Sequence, residues 1–503
     1  MSRHRWQPYA AGALLAAGAG VLGGWLLPRG AVTTPEALAT VVGCLAVGAA
    51  VGWLIGSRWA LVVAPVAFVT AYELLRLRVD GPTLAAPSLD GLYAVLAILL
   101  GRGVDALLTL LPMLVGVGYG LILARRRDAS EPRAGAMATD RATGGHRFRR
   151  MGGRVVLALG TAAVLILLAG LVRPAGTAPI TDAEGAVVPG SIAELVAIEV
   201  GGHEQHLMIR GHDSGAPVLL FLEGGPGGSA LGRMRRSAEP LETRFVVVTW
   251  DQRGTGKSYP ALDPTQTHTV EQAVSDTVDV TDHLRQRFGQ DRIYLVGSSW
   301  GSIIGVRAAQ QRPDAYHAFV GTGQMVDPFE TDQLMYAENL TQARDSGDTG
   351  RVARLQSMGP PPYAETLDYT EALAGNPEWM DFPHGADYDP RSEYPMAFLV
   401  EEYTLIEQLR GMAAIAETFA VLYPQLEGLD FRQDATDLEV PVYLLQGAHE
   451  AAGRATLAEA WFDLLDAPTK EWITLDHSGH TPPYDEPGRF AEIMIGTVLA
   501  ETS

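Results

Sequence analysis

Apolar positions crowd the first third of the chain and then break into short alternating runs. Tyr9–Leu27, Ala37–Gly56, Trp59–Leu75, Val104–Leu123 and Val155–Val172 are each nearly unbroken apolar sequence, about the length an α-helix needs to cross a hydrocarbon layer of roughly 30 Å. None carries a polar stripe, so they predict helices facing lipid or one another. Tyr9–Leu27 alone, behind Arg3 and Arg5, has the make-up of a signal peptide. Four further runs predict instead an all-α transmembrane region of about five helices over residues 1–174. A sixth run, Leu92–Leu100, lies between Asp90 and Arg102 and reads as an interfacial or re-entrant piece, with a span starting near Ala85 as the alternative. Glu73 and Asp105 fall near span ends, from which a carboxylate can reach the headgroup region.

Residues 175–191 are rich in Gly, Thr, Ala and Pro and read as a linker. From Ile192 the period changes. Leu195–Val200, His206–Ile209, Val218–Leu222, Phe245–Thr249, Ile293–Val296, Phe319–Val320, Val442–Leu445 and Trp472–Leu475 are short β-branched runs. Helix-length amphipathic stretches separate several of them: Val270–Arg287, Ser302–Gln311, Arg454–Leu465 and Pro487–Leu499. Alternating strands and helices predict an α/β domain over residues 192–503, a mainly parallel sheet opened by an antiparallel pair. Residues 327–438 contain no convincing strand and read as an inserted helical cap.

Charge separates the two parts. Residues 1–172 hold 16 arginines, no lysine and 8 acids; residues 173–503 hold 22 basic and 50 acidic side chains. The net charge of −20 argues against nucleic acid as a partner. The lipid bilayer is the partner expected of the apolar helices. Nine arginines fall within residues 125–154. Whether five or six spans are counted, this loop is expected on the cytoplasmic side and everything after Arg173 on the outer face. The protein is therefore expected in the cell membrane, multi-pass, with its acidic domain extracytoplasmic. The single cysteine, Cys44, excludes a disulfide framework and a Cys-based metal site.

The apolar run at Ile293 leads into Gly297-Ser-Ser299-Trp-Gly301, followed by a predicted helix. That strand–turn–helix setting turns a weak G-x-S-x-G pattern into a nucleophile elbow, with Ser299 as nucleophile and Ser298 directed elsewhere. A serine needs a base, and the base an acid. Either His477 or His480 of Asp476-His-Ser-Gly-His480 is in place; His480 lies past a glycine that lets the loop turn back and is the better base. Glu450 is the only carboxylate in the loop after Val442–Leu445 and is the candidate acid. Glu223-Gly-Gly-Pro-Gly-Gly228 is glycine-rich enough for backbone donors to approach a ligand, so the amides of Gly225 and Trp300 are candidate oxyanion donors. Gly256-Lys257-Ser258 lacks the earlier glycine of a phosphate loop.

Taken together, Gly224-Gly-Pro-Gly-Gly228, Asp251-Gln-Arg-Gly254 with Gly256 and Ser258, Gly297-Ser-Ser-Trp-Gly301 and Ser478-Gly-His480 resemble the proline iminopeptidase branch of the α/β-hydrolases. The resemblance covers residues 192–499 apart from the cap. It implies an α/β-hydrolase fold, a triad of Ser299, Glu450 and His480, and Asp251 and Arg253 as braces of the active-site floor. It differs in having Glu223 where the peptidases usually carry His, and Glu450 where the acid is usually Asp. Peptidases of this branch hold the substrate amine with cap carboxylates, which makes Glu401, Glu402 and Glu407 candidates, alongside Glu223 beside the glycine loop. The implied activity is a membrane-anchored serine aminopeptidase acting on short peptides or amides, with no metal or organic cofactor. A carboxylesterase or lipase acting on apolar esters is the alternative, and a non-catalytic membrane sensor the third.

Overall fold

In the computed structural model, which describes residues 6–85, 92–130, 144–373, 376, 379 and 381–503, the short β-branched runs pair into one eight-stranded sheet. Its strands are β1 (Ile192–Val200), β2 (His203–Gly211), β3 (Val218–Leu222), β4 (Val246–Asp251), β5 (Ile293–Ser298), β6 (Tyr316–Thr322), β7 (Val442–Gly447) and β8 (Lys470–Leu475). The order is β1-β2-β4-β3-β5-β6-β7-β8, with β1–β2 and β2–β4 antiparallel and all later pairs parallel.

Alternation assigns the two faces of the central strands. Leu220, Leu222 and Leu295 enter one buried cluster with helices Val270–Phe288 and Trp300–Gln311. Leu219, Phe221, Tyr294 and Val296 enter the other with Pro487–Ile493 and Met494–Leu499. Both faces are apolar because helices cover both. Each such fully buried aliphatic side chain contributes about 1.5–3 kcal/mol of transfer free energy. Leu222 pairs with Gly297 across β3 and β5, so the glycine-rich loop and the Ser299 turn leave the sheet side by side, at the carboxyl ends of parallel strands.

The described chain divides into two units, Met1–Pro174 with Thr404–Arg410, and Ala175–Tyr403 with Gly411–Ser503. Thr404–Arg410 lies within the predicted cap by sequence but groups with the helical unit. The predicted cap carries no strand among its described residues; its longer helices are Pro328–Asp345, Thr349–Met358 and Leu405–Leu422. The stretch Tyr394–Arg410, which carries Glu401, Glu402 and Glu407, is not one continuous helix. Met396–Phe398 is a short 3-10 turn, and the α-helix starts only at Leu405, where Glu407 accepts the Thr404 N–H at 2.7 Å.

In the helical unit four described helices are long and apolar enough to cross a membrane: Gln7–Leu26, Thr34–Ile55, Leu92–Arg127 and Gly152–Leu171. The expected span Trp59–Leu75 forms the helix Ala60–Arg76, which has only 17 residues and holds Pro65. Leu92–Leu100 is not a separate interfacial piece: Leu92–Ile98 passes through a π-turn, Leu99–Gly103, directly into Val104–Ser130. Arg102 is tolerated in that turn because Glu73 accepts it at 2.9 Å. Asp105 does not reach outward either. It is buried between Arg76 at 2.7 Å and Arg410 at 2.5 Å. Helices Thr34–Ile55 and Val104–Ser130 approach closely through Gly48, Gly52, Gly116 and Gly120; a methyl group at Gly48 would lie 2.0 Å from the Met113 carbonyl oxygen. Arg3, Arg5, Asp90 and residues 131–143 of the arginine-rich loop lie outside the described residues.

Candidate active site

β5 ends at Ser298 and the helix Trp300–Gln311 begins two residues later, so one residue must reverse the chain. Ser299 does so at φ 53°, ψ −119°, the one non-glycine residue with positive φ among the described residues. A bulky residue in such a conformation is strained, which is why it persists only where surrounding packing enforces it. Small neighbours are required: a methyl group at Gly301 would lie 2.1 Å from the Leu222 carbonyl oxygen. Ser299 is part-exposed, whereas Ser298 is fully buried in the sheet.

The candidate acid and base come from the loops after the last two parallel strands, β7 and β8. After β8 the loop places His480 Nδ1 2.5 Å from Glu450 Oε2, and Glu450 follows β7. The other oxygen, Oε1, accepts the Ala451 N–H at 2.9 Å and Arg454 Nη1 at 3.2 Å. Burial alone would raise the Glu450 pKa, but His480 and then Arg454 hold it down at about 2. Burial and then the Arg454 charge lower the His480 pKa, with Glu450 opposing them. His477 turns away, its Nδ1 3.2 Å from the Pro383 carbonyl.

The end of β6 relates this pair to the serine. The Ser299 N–H donates to the Thr322 carbonyl at 2.9 Å. At the next residue, Gly323, φ is +50° and a methyl group would lie 2.8 Å from His480 Nδ1. On the opposite side the glycine-rich loop closes on the serine: a methyl group at Gly224 would lie 2.9 Å from Ser299 Cβ. Gln252 ties the two strands' loops together, its side-chain amide donating to the Glu223 carbonyl at 3.2 Å and its oxygen accepting the Trp300 indole N–H at 3.0 Å.

The sequence-predicted carboxylates are used differently from expectation. Glu223 is buried, and its side chain accepts from Arg233 at 3.2 Å and from the Tyr484 hydroxyl. Glu402 is buried against Arg235 and Thr177, each at 2.9 Å, so its carboxylate is occupied inside the fold. Glu407 caps its own helix and Glu401 is exposed. Asp251 is buried and accepts from Ser229 Oγ at 3.0 Å, Lys257 N–H at 2.8 Å and the cap's Tyr403 hydroxyl at 3.0 Å, and burial pushes it up to about 7. Arg253 instead holds the loop that follows, donating to the Ala261 and Thr267 carbonyls at 2.8 and 3.1 Å.

Sequence reasoning missed Arg233 and Glu393. Arg233 lies 3.7 Å over the Tyr484 ring, between Glu223 and Glu393, the latter at 3.2 Å and 42% exposed. Nothing local marks them, because the partners come from segments about 10 and 160 residues apart in sequence. Among the described residues no group of three His, Cys, Asp or Glu is placed to hold a metal ion.

Residues 217–346 match the family model described as the alpha/beta hydrolase fold. A probable aminopeptidase, YbaC, of Bacillus subtilis (strain 168) is 30% identical over 316 residues, covering 60% of this chain and 96% of that protein. The proline iminopeptidase of Xanthomonas citri is 37% identical over 113 residues, 22% of this chain and 34% of that one. A proline iminopeptidase-related protein of known structure from Thermus thermophilus is 22% identical with a TM-score of 0.41, over 61% of this chain and 98% of its own. With a relative matched over nearly its whole length, this chain belongs to the α/β-hydrolase family.

Proposed function

We propose that this hydrolase is a membrane-anchored serine aminopeptidase that removes an N-terminal residue from short peptides or amides through an acyl-enzyme. The observation that carries the reading is the strained Ser299 turn set beside the Glu450–His480 pair. In the reaction His480 Nε2 takes the Ser299 hydroxyl proton while Ser299 Oγ attacks the substrate carbonyl. Glu450 on Nδ1 fixes the tautomer and stabilises the imidazolium. The Gly225 and Trp300 amides hold the developing oxyanion, a contribution of about 2.7–4 kcal/mol per donor in comparable sites. His480 then protonates the leaving amine, and water repeats the sequence to release the acid.

Two features favour a peptide substrate over an ester. The relative matched over 96% of its length is named as a probable aminopeptidase. Beside the site, the one guanidinium of Arg233 pairs with the buried Glu223 and with Glu393, whose side chain is 42% exposed, so Glu393 is the carboxylate of that cluster open to an ammonium group. Each charge-assisted contact to a free amine supplies about 1.5–3 kcal/mol. An N-terminal prolyl or alanyl arylamide should therefore be cleaved about a hundredfold or more faster than its N-acetylated form. Equal rates on free and blocked amides, with medium-chain esters faster than both, would replace the peptidase by a carboxylesterase using the same three residues.

A further inference from the structure

Glu450 is one methylene longer than an aspartate, so it needs an additional restraint if one oxygen is always to face the imidazole. Its own loop and the following helix supply that restraint. Oε2 takes His480, while Oε1 is held by the Ala451 N–H and by Arg454 from the first turn of Ala452–Leu464. This is not an ordinary surface pair on one helix face. Glu450 precedes the helix and its side chain is 2% exposed, so a free carboxylate oxygen there would lack water to turn toward. We propose that Arg454 is a positioning residue of the hydrolytic site, locking the Glu450 carboxylate toward His480. The proposal rests on the Ser299–His480–Glu450 reading.

The charged surroundings are consistent with it. His480 is faced by Glu450, Arg454 and Arg233, and Asp485 holds the neighbouring Gly479 N–H at 3.0 Å. Arg454 is faced in turn by Glu450 and, from the cap, by Asp332 with its Tyr423 hydroxyl at 2.8 Å. His449 stacks on Phe382 beside the same loop. A fixed positive charge at Arg454 disfavours imidazolium, so its removal raises the His480 pKa and moves the acid limb of activity to higher pH.

The test is the rate of fluorophosphonate labelling of the full chain as a function of pH, which needs an activated serine but no particular substrate. Arg454→Met should slow labelling about tenfold or more and move the acid limb up by about half a pH unit or more. Arg454→Lys should restore the limb, and Glu450→Gln combined with Arg454→Met should be no slower than Glu450→Gln alone. Should Arg454→Met fail to fold, Arg454→Gln reads the same limb. An unmoved limb, or effects of the two substitutions that multiply, would overturn the role of Arg454 alone. Labelling that survives Ser299→Ala, or is unaffected by Glu450→Gln, would overturn the triad itself and the proposal with it.

Discussion

The indole N–H of Trp300 donates to the side-chain oxygen of Gln252 at 3.0 Å, and the Gln252 amide donates to the Glu223 carbonyl at 3.2 Å. One buried side chain thus joins the residue after Ser299 to the start of the glycine-rich loop, the two segments that carry the proposed oxyanion donors. Gln252→Leu removes both bonds while keeping most of the volume. Losing part of a donor's contribution should lower kcat about 10- to 100-fold with KM little changed, because the contact acts on the transition state. A raised KM with unchanged kcat would place Gln252 in substrate binding instead.

Gly323 faces His480 with φ +50°, and a methyl group there would meet the His480 carbonyl oxygen at 2.5 Å and Nδ1 at 2.8 Å. Backbone cannot yield as a flexible side-chain tip does, so Gly323→Ala should displace the imidazole and remove most activity. Gly347 is the control: φ is +72° but nothing lies within 4 Å. Gly347→Ala should cost about 1 kcal/mol of stability and leave kcat/KM intact. Equal activity in the two variants would show that His480 tolerates the displacement.

How far the sequence reaches can be seen element by element. Val218–Leu222 is read to the residue because every position in it is apolar and buried. His206–Ile209 is read short, as the strand continues to Gly211 through Arg210, whose charge is answered by Glu242 at 2.9 Å. Such partners are invisible locally. Arg102 breaks the hydropathy pattern of Leu92–Leu123 for the same reason, since Glu73 meets it from another helix. At the proposed site, chain order and loop position nominate Ser299, His480 and Glu450, and the structure brings His480 against Glu450 at 2.5 Å. Glu402 is misleading because Thr177 and Arg235, which occupy it, lie 225 and 167 residues away.

Three buried aspartates, Asp251, Asp332 and Asp485, are each pushed up to about 7, chiefly by burial. Raised folded-state values favour the protonated form. Their stabilisation is complete below the ordinary value of 3.8 and is lost as pH rises through about 7, at about 1.4 kcal/mol per pKa unit. Asp332→Asn keeps an acceptor for the Tyr423 hydroxyl but removes the ionisation. Its Tm relative to wild type should therefore be higher at about pH 8 than at about pH 5. The same Tm difference at both pH values would mean that Asp332 does not titrate in this window.

Gly152–Leu171 is 20 residues of apolar helix, about 30 Å long at 1.5 Å per residue and so sufficient for one crossing. Of the nine arginines in residues 125–154, eight lie on its N-terminal side and Arg154 in its first turn. The acidic hydrolase unit follows on the other. Arginine-rich short loops stay on the cytoplasmic face, because their transfer opposes both the membrane potential and the anionic inner leaflet. The charge bias leads to the expectation that the hydrolase unit lies outside the cytoplasm. A reporter active only outside the cytoplasm should give signal when fused after Ser503 and none when inserted near Gly144. Replacing Arg125, Arg126 and Arg127 by serine leaves six arginines in the loop and should not invert the result, because the remaining bias still has the same sign. Signal near Gly144 without signal at Ser503 would reverse the orientation and put the hydrolase unit, with Ser299, His480 and Glu450, in the cytosol.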